Sequence, residues 1–133
     1  WTINYREHPD WGRRLTDLTG GADHVIELGG AGTLDQSLRA VRTGGTIHLV
    51  GMLAGIKAEV ALTRIFMNGV RVQGAFVGSG EDLRDLARAL EARPEVRPVV
   101  DRVFGFDEVP GAFAWMAEGR HQGKIAIAIG EGT

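Results

Sequence analysis

The stretch of residues 21–53, GADHVIELGGAGTLDQSLRAVRTGGTIHLVGML, limits the possible folds more than any other part of the chain. Two short apolar runs, residues 24–28 and 46–50, flank a segment of helical periodicity, and glycine pairs punctuate the junctions at Gly20-Gly21, Gly29-Gly30 and Gly44-Gly45. Runs this short and this rich in β-branched residues read as strands buried on both faces, as parallel strands are. Between them, Thr33 with Gln36 forms a capping-box signature, and Leu34, Leu38 and Val41 give a buried stripe at helical spacing. A strand, a helix and a second strand in this order call for a right-handed crossover and a parallel sheet.

The same alternation continues on both sides. Residues 2–5 predict a very short strand, and His8-Pro9-Asp10 opens a helix with Trp11, Leu15 and Leu18 on one side until Gly20-Gly21 stops it. Beyond the loop 51–57, residues 59–62 predict a short extended piece, 63–68 a helical turn and 70–77 a third strand. Ser79 with Asp82 caps a helix bearing Leu83, Leu86, Ala87 and Leu90, and Pro94 and Pro98 bracket its exit. Residues 99–104 predict a strand, and Asp107 is expected to cap a helix with Val109, Ala112, Phe113 and Met116 facing inward. Pro110 fits there because the first turn lacks a partner for its N–H in any case. Gly119 closes that helix and residues 124–129 predict the last strand. The fold class is α/β.

Composition removes several kinds of function. A chain of 133 residues with 44% hydrophobic content can bury one ordinary core. Its formal charge of -2 is spread among interleaved acids and bases, so no basic face for nucleic acid stands out. No cysteine is present, which removes disulfides, thiol nucleophiles and thiolate metal sites. No apolar run approaches the ~20 residues of a membrane helix, and WTINYREHPDW has no hydrophobic signal core, so the expectation is a soluble, cytoplasmic protein without membrane partners. A Trp in first position suggests processing, trimming or a fragment.

The segments VIELGGAGTLDQSLRAVRTGGTIHLVG, VRVQGAFVGS and VVDRVFGFDEVPGAFAWMAEGRHQGKIAIAIG carry a resemblance in their order and spacing. Together they resemble the C-terminal half of the medium-chain dehydrogenase/reductase superfamily, which includes zinc-type alcohol dehydrogenases and quinone oxidoreductases. The resemblance implies a Rossmann sheet of order 3-2-1-4-5-6, in which residues 3–5, 25–28, 46–50 and 70–77 would be strands three to six. It divides the chain into the later part of an NAD(P)-binding domain, residues 1–77, and a C-terminal segment of the catalytic domain, residues 78–133. Strands one and two, the G-x-G-x-x-G turn and the zinc-bearing N-terminal domain have no counterpart here, so the chain is expected to be inactive alone. Strand four would then keep a free hydrogen-bonding edge, and association with another copy or with the missing half is expected. The alternation AEVAL at 58–62 permits a further self-pairing strand, as in relatives that dimerise there.

Ligands of open α/β sheets lie beyond the carboxyl ends of the strands. Gly29 and Gly30 let backbone approach a ribose or diphosphate, since no Cβ intervenes; the competing reading is a simple turn. The resemblance places Gly51, Met52 and Leu53, and likewise Phe76 and Val77, near the nicotinamide of NAD or NADP. It sets Tyr5 near the adenine ribose and Lys124 near the pyrophosphate, where a cation suits two negative charges. A surface aromatic and a solvated lysine are the competing readings.

No catalytic residue stands out. His8, His24, His48 and His121 lack the short spacings of a zinc site, so no metal ligand is assigned in this chain, and any zinc would belong to a larger parent enzyme. The implied activity is hydride transfer between nicotinamide and a small-molecule alcohol, carbonyl or activated alkene. The alternatives are a non-catalytic interaction or scaffold domain of the same fold and a Rossmann-like methyltransferase. The latter is disfavoured because its cofactor glycines would also come early in the sheet.

Overall fold

The computed structural model describes residues 1–130, and the chain divides into two compact units, Trp1–Val77 and Gly78–Thr133. In the first unit, helix α1 (Trp11–Thr19) leads into strand β1 (Ala22–Glu27), and a single 3-10 turn (Gly30–Gly32) precedes α2 (Leu34–Ala40). Strand β2 (Val41–Leu49), helix α3 (Leu62–Met67) and strand β3 (Arg71–Gly74) complete it. The sheet has the order β1-β2-β3 and both pairings are parallel, with Ile26 beside His48 and His48 beside Gln73. All three carboxyl ends therefore lie at one end of the sheet.

The core gathers Leu38, Val41, Ile47 and Val70, with Val25, Leu34, Val60 and Ile65 packed against them. Ile47 is 0% exposed, and burying such a side chain contributes about 1.5–3 kcal/mol. Helices α1 and α2 approach through Gly12, where a Cβ would stand 2.1 Å from the Gln36 carbonyl oxygen. The Gly12 N–H donates to Gln36 Oε1 at 3.0 Å and the Thr16 hydroxyl to the Arg39 carbonyl at 2.7 Å. Only glycine permits that closeness.

Several expectations change. Residues 2–5 form no strand: the N–H groups of Glu7 and His8 both donate to the Asn4 carbonyl, closing a turn. Val41 is not the last residue of a helix but the first of β2, paired with Ala22, and the register shifts before His24 meets Thr46. Gly44, at φ 75°, lies inside this irregular strand and donates to the Asn68 carbonyl. Residues 58–61 are not paired into the sheet, and β3 stops at Gly74, before the expected end at 77.

Burial on both faces of the strand at 24–28 is also corrected. Val25 and Glu27 face the helices, whereas Ile26 is 63% exposed and Leu28 half exposed. The cause is that α2 and α3 pack on the same side as Ile47, leaving the other side of the sheet bare. On that bare side His24 and His48 stack, Nδ1 to Nε2 at 3.0 Å. Strand β1 is outermost, so among the described residues one of its edges is unpaired.

The second unit contains α4 (Gly80–Glu91), β4 (Val100–Gly105), α5 (Val109–Glu118) and β5 (Lys124–Ala128), with β4 and β5 parallel. Ser79 and Asp82 form the expected capping box, and hydrogen bonds from the Ser79 side chain and amide hold the Asp82 carboxyl below its usual range. Yet Leu83 and Leu86 remain exposed and α4 buries no residue. Periodicity marks which side of a helix is apolar; it does not supply the partner. Asp107 does not cap α5: it sits in a 3-10 turn (Phe106–Glu108), and Glu108 Oε2 accepts the Gly105 N–H at 2.8 Å. Asp101 ties this unit together by accepting from Trp115 Nε1 at 2.9 Å and from the Gln122 amide at 3.1 Å. The Arg102 and Arg120 guanidinium groups both lie over the Trp115 ring.

Replacing Gly12 with Ala should push α1 off α2, because the obstacle at 2.1 Å is backbone and cannot rotate away. A loss of about 2 kcal/mol is expected for such overpacking, read as a lowered urea midpoint of the far-ultraviolet circular dichroism signal.

Candidate functional site

Because β1, β2 and β3 are parallel, the segments leaving them, residues 28–30, 50–55 and 75–77, emerge at the same end of the sheet. The second and third of these enclose a cleft of about 470 Å³ lined by Leu49, Val50, Gly51, Met52, Gly74, Ala75, Phe76 and Val77. Its outer wall is apolar and open, with Phe76 96% exposed. The amides of Val50 and Gly51 both donate to the Glu27 carbonyl, and that of Ala75 donates to the Leu49 carbonyl. Among the described residues the amides of Met52, Phe76 and Val77 have no partner. The cleft thus combines an apolar wall with unpaired backbone donors.

Gly51 is required at this point of the chain. A Cβ there would stand 2.7 Å from the Leu28 carbonyl oxygen, so the loop after β2 can lie directly on the end of β1 only without a side chain.

The turn after β1 is built differently from a phosphate cradle. The amides of Gly29 and Gly30 donate to Glu27 Oε1 at 2.7 and 2.9 Å, and the Thr33 hydroxyl donates to the same oxygen at 2.5 Å. Ser37 Oγ donates to Glu27 Oε2. Glu27 is 2% exposed. Burial pushes its carboxyl up, but the hydrogen bonds from Ser37, Thr33, Gly30 and Gly29 together outweigh that and leave it below its ordinary 4.5. The Thr33 side chain therefore serves Glu27, and no side-chain cap bond to the start of α2 is made.

The remaining sequence-derived residues are placed as follows. Gly51, Met52, Phe76 and Val77 come together in the cleft, and Leu53 follows it as an exposed side chain whose amide donates to the Leu28 carbonyl. Gly29 and Gly30 lie at the end of β1 with their amides turned to Glu27. Tyr5 is exposed in the turn before α1. Lys124 belongs to the second unit, opening β5 with an exposed side chain and its amide donating to the Val99 carbonyl.

Sequence reasoning missed Glu27, although an acid ending an apolar strand before two glycines is a signal. It also treated His24 and His48 as unrelated, since only strand register brings them together.

The profile of the zinc-binding dehydrogenase family matches residues 2–127. The chain belongs to that family. A zinc-type alcohol dehydrogenase-like protein of Schizosaccharomyces pombe is 35% identical over 96% of this family member, which spans 38% of that relative's length. Among solved structures, an NAD-dependent alcohol dehydrogenase superposes with a TM-score of 0.83 at 27% identity, covering 97% of this chain and 38% of its own. A crotonyl-CoA carboxylase/reductase in complex with NADP gives 0.79 at 26% identity, covering 91% of this chain and 31% of its own. The fold is thus the α/β, Rossmann-like C-terminal part of alcohol dehydrogenases. The zinc of the family's name finds no ligand set in this dehydrogenase segment: it has no Cys, and among the described residues no three His, Asp or Glu side chains converge on a metal position. No helix among the described residues is long and apolar enough to cross a membrane.

The buried carboxylate gives an acid dependence of known sign. Glu27 has a folded value below its unfolded 4.5, so its contribution to stability is full above that pH and is lost as pH falls through the folded value. Glu27→Ala leaves amides and hydroxyls buried without an acceptor and should cost about 3 kcal/mol at neutral pH. The gap between the urea midpoints of the variant and the parent chain should narrow as pH falls from 7 through the folded value of Glu27.

Proposed function

We propose that the chain supplies the nicotinamide-facing loops of an NAD(P)-dependent oxidoreductase that moves a hydride between nicotinamide and an alcohol, carbonyl or activated alkene. The observation that carries this reading is the cleft at the carboxyl ends of β2 and β3, where the unpaired amides of Met52, Phe76 and Val77 border an apolar wall. The carboxamide of a nicotinamide needs backbone donors at one edge, and the ring needs a dry face. Met52, Phe76 and Val77 offer the first. The side chains of Val50, Phe76 and Val77 offer the second by excluding water from one side of the ring. When bound, the nicotinamide would accept a hydride at its C4 in the oxidised form or supply one from C4 in the reduced form.

In this reading residues 1–77 are the later part of the cofactor domain, and residues 78–133 belong to the catalytic domain. Gly29 and Gly30 pass beside the ribose, with their amides donating to Glu27 and their carbonyls accepting from Ala54 and Thr33. Tyr5 serves the adenosine end and Lys124 the pyrophosphate. The polarising group for the substrate oxygen lies outside this set of residues, and the choice between alcohol dehydrogenase and quinone reductase chemistry rests with it. We place the protein in the cytoplasm, working with small-molecule substrates.

The test is a titration of the isotope-labelled chain with NAD+, NADP+ and nicotinamide mononucleotide, followed by amide chemical shifts. Weak binding is expected, with shifts at residues 51–53 and 75–77 that the mononucleotide reproduces and Gly51→Val abolishes, and with further shifts from the two dinucleotides at Tyr5, Gly29, Gly30 and Lys124. Shifts elsewhere, or none, would sink the reading in favour of a scaffold domain.

The bare edge of β1 is a second consequence. We propose that it draws in another polypeptide, either a second copy or the rest of a parent enzyme. Sedimentation of the chain alone should show association, and a stable monomer at high dilution would contradict it.

A further inference from the structure

The turn after β1 and the loop after β2 are locked together by backbone bonds. Leu53 and Ala54 donate to the carbonyls of Leu28 and Gly29 at 3.1 and 2.7 Å, and Ala31 donates back to the Gly55 carbonyl at 3.0 Å. The fit leaves no room for side chains: a Cβ on Gly30 would stand 2.6 Å from the Gly55 oxygen, and one on Gly32 would stand 2.7 Å from the Ala54 Cβ. The loop therefore has no independent anchor on this side. Its position follows that of residues 28–31, whose own conformation includes Gly30 at φ 74°.

What holds residues 28–31 is a side chain. The Glu27 carboxylate accepts the Gly29 and Gly30 amides on one oxygen, while α2 grips the other through Ser37. The Glu27 main-chain carbonyl meanwhile accepts from Val50 and Gly51 at 2.9 and 3.1 Å. One residue thus touches the strand end, the helix start and the base of the cleft.

We infer that Glu27 is a positioning residue: its buried carboxylate sets residues 28–31, which set residues 51–55 and with them the Met52 amide that borders the cleft. It touches no ligand. The effect on cofactor rests on the function proposed above, whereas the effect on the loop does not. An isosteric amide in place of the carboxylate keeps the volume but offers one acceptor oxygen and an unwanted N–H₂ group. The charge-assisted bonds to the two glycine amides weaken, and the loop loosens while the sheet and core remain.

Two measurements test this. Amide hydrogen exchange of Leu53, Ala54 and Ala31 should quicken about tenfold in Glu27→Gln, with the Ile47 and Leu38 amides unchanged. Asp35→Asn, which removes a carboxylate on α2 that pairs with Arg39 at 2.8 Å and does not touch Glu27, should leave the loop amides within about twofold of the parent. Affinity for NAD+ should fall about tenfold in Glu27→Gln and stay level in Asp35→Asn. If the parent chain binds no dinucleotide, the functional proposal fails while the exchange result still judges Glu27. If Glu27→Gln folds with loop exchange like the parent, the inference is wrong. If it does not fold, exchange of the parent chain in rising denaturant decides. Gly29, Gly30, Leu53 and Ala54 should open as one unit with a common slope, and a loop opening alone at lower cost overturns the inference.

Discussion

A carboxylate taken out of water at the end of β1 is the constraint around which the first unit is arranged. Glu27 is 2% exposed and is tolerable there only because four donors converge on it: two glycine amides and two hydroxyls. Those donors come from the turn after the strand and from the start of the next helix. Satisfying one buried charge therefore fixes the path from β1 into α2. That path in turn sets where the loop after β2 can lie, because the two segments share backbone bonds and exclude each other's side chains. A local electrostatic requirement becomes the geometry of a cleft several residues away.

The sheet above this network is covered on one side. Leu38, Val41, Ile47 and Val70 form a real but small core on the helix side, while Ile26, Leu28, His24 and His48 are left facing outward on the other. Parallel strands are ordinarily covered on both sides. Together with the unpaired edge of β1, this bare face describes a structure with surface to bury. The same is true of α4, whose Leu83 and Leu86 stay exposed among the described residues. The matched relatives are longer, with this chain spanning 38% of the Schizosaccharomyces pombe protein.

Membership in the zinc-binding dehydrogenase family does not by itself bring a zinc site. The family profile covers residues 2–127, yet the described residues hold no converging metal ligands. What this segment offers is backbone: the amides of Met52, Phe76 and Val77, together with glycines that let loops lie close. In the function proposed, that contribution is orientation and exclusion of water, and neither requires a titrating side chain.

The sequence by itself determined the alternation of helices and strands from α1 onward, the parallel sheet, the capping box of Ser79 and Asp82, and the grouping of Gly51, Met52, Phe76 and Val77 at strand ends. These follow from period, capping chemistry and the rule that parallel strands share a carboxyl end, all of which are local or topological. It did not reveal the turn at residues 4–8, the early start of β2 at Val41, the pairing of His24 with His48 or the burial of Glu27. Each of those depends on what lies across from a residue in space: which carbonyl an amide meets, which strand sits alongside, which donors gather on one carboxylate. Periodicity shows which side of an element is apolar. Only the packed structure decided whether anything covers that side, because burial belongs to pairs of surfaces and not to one segment alone.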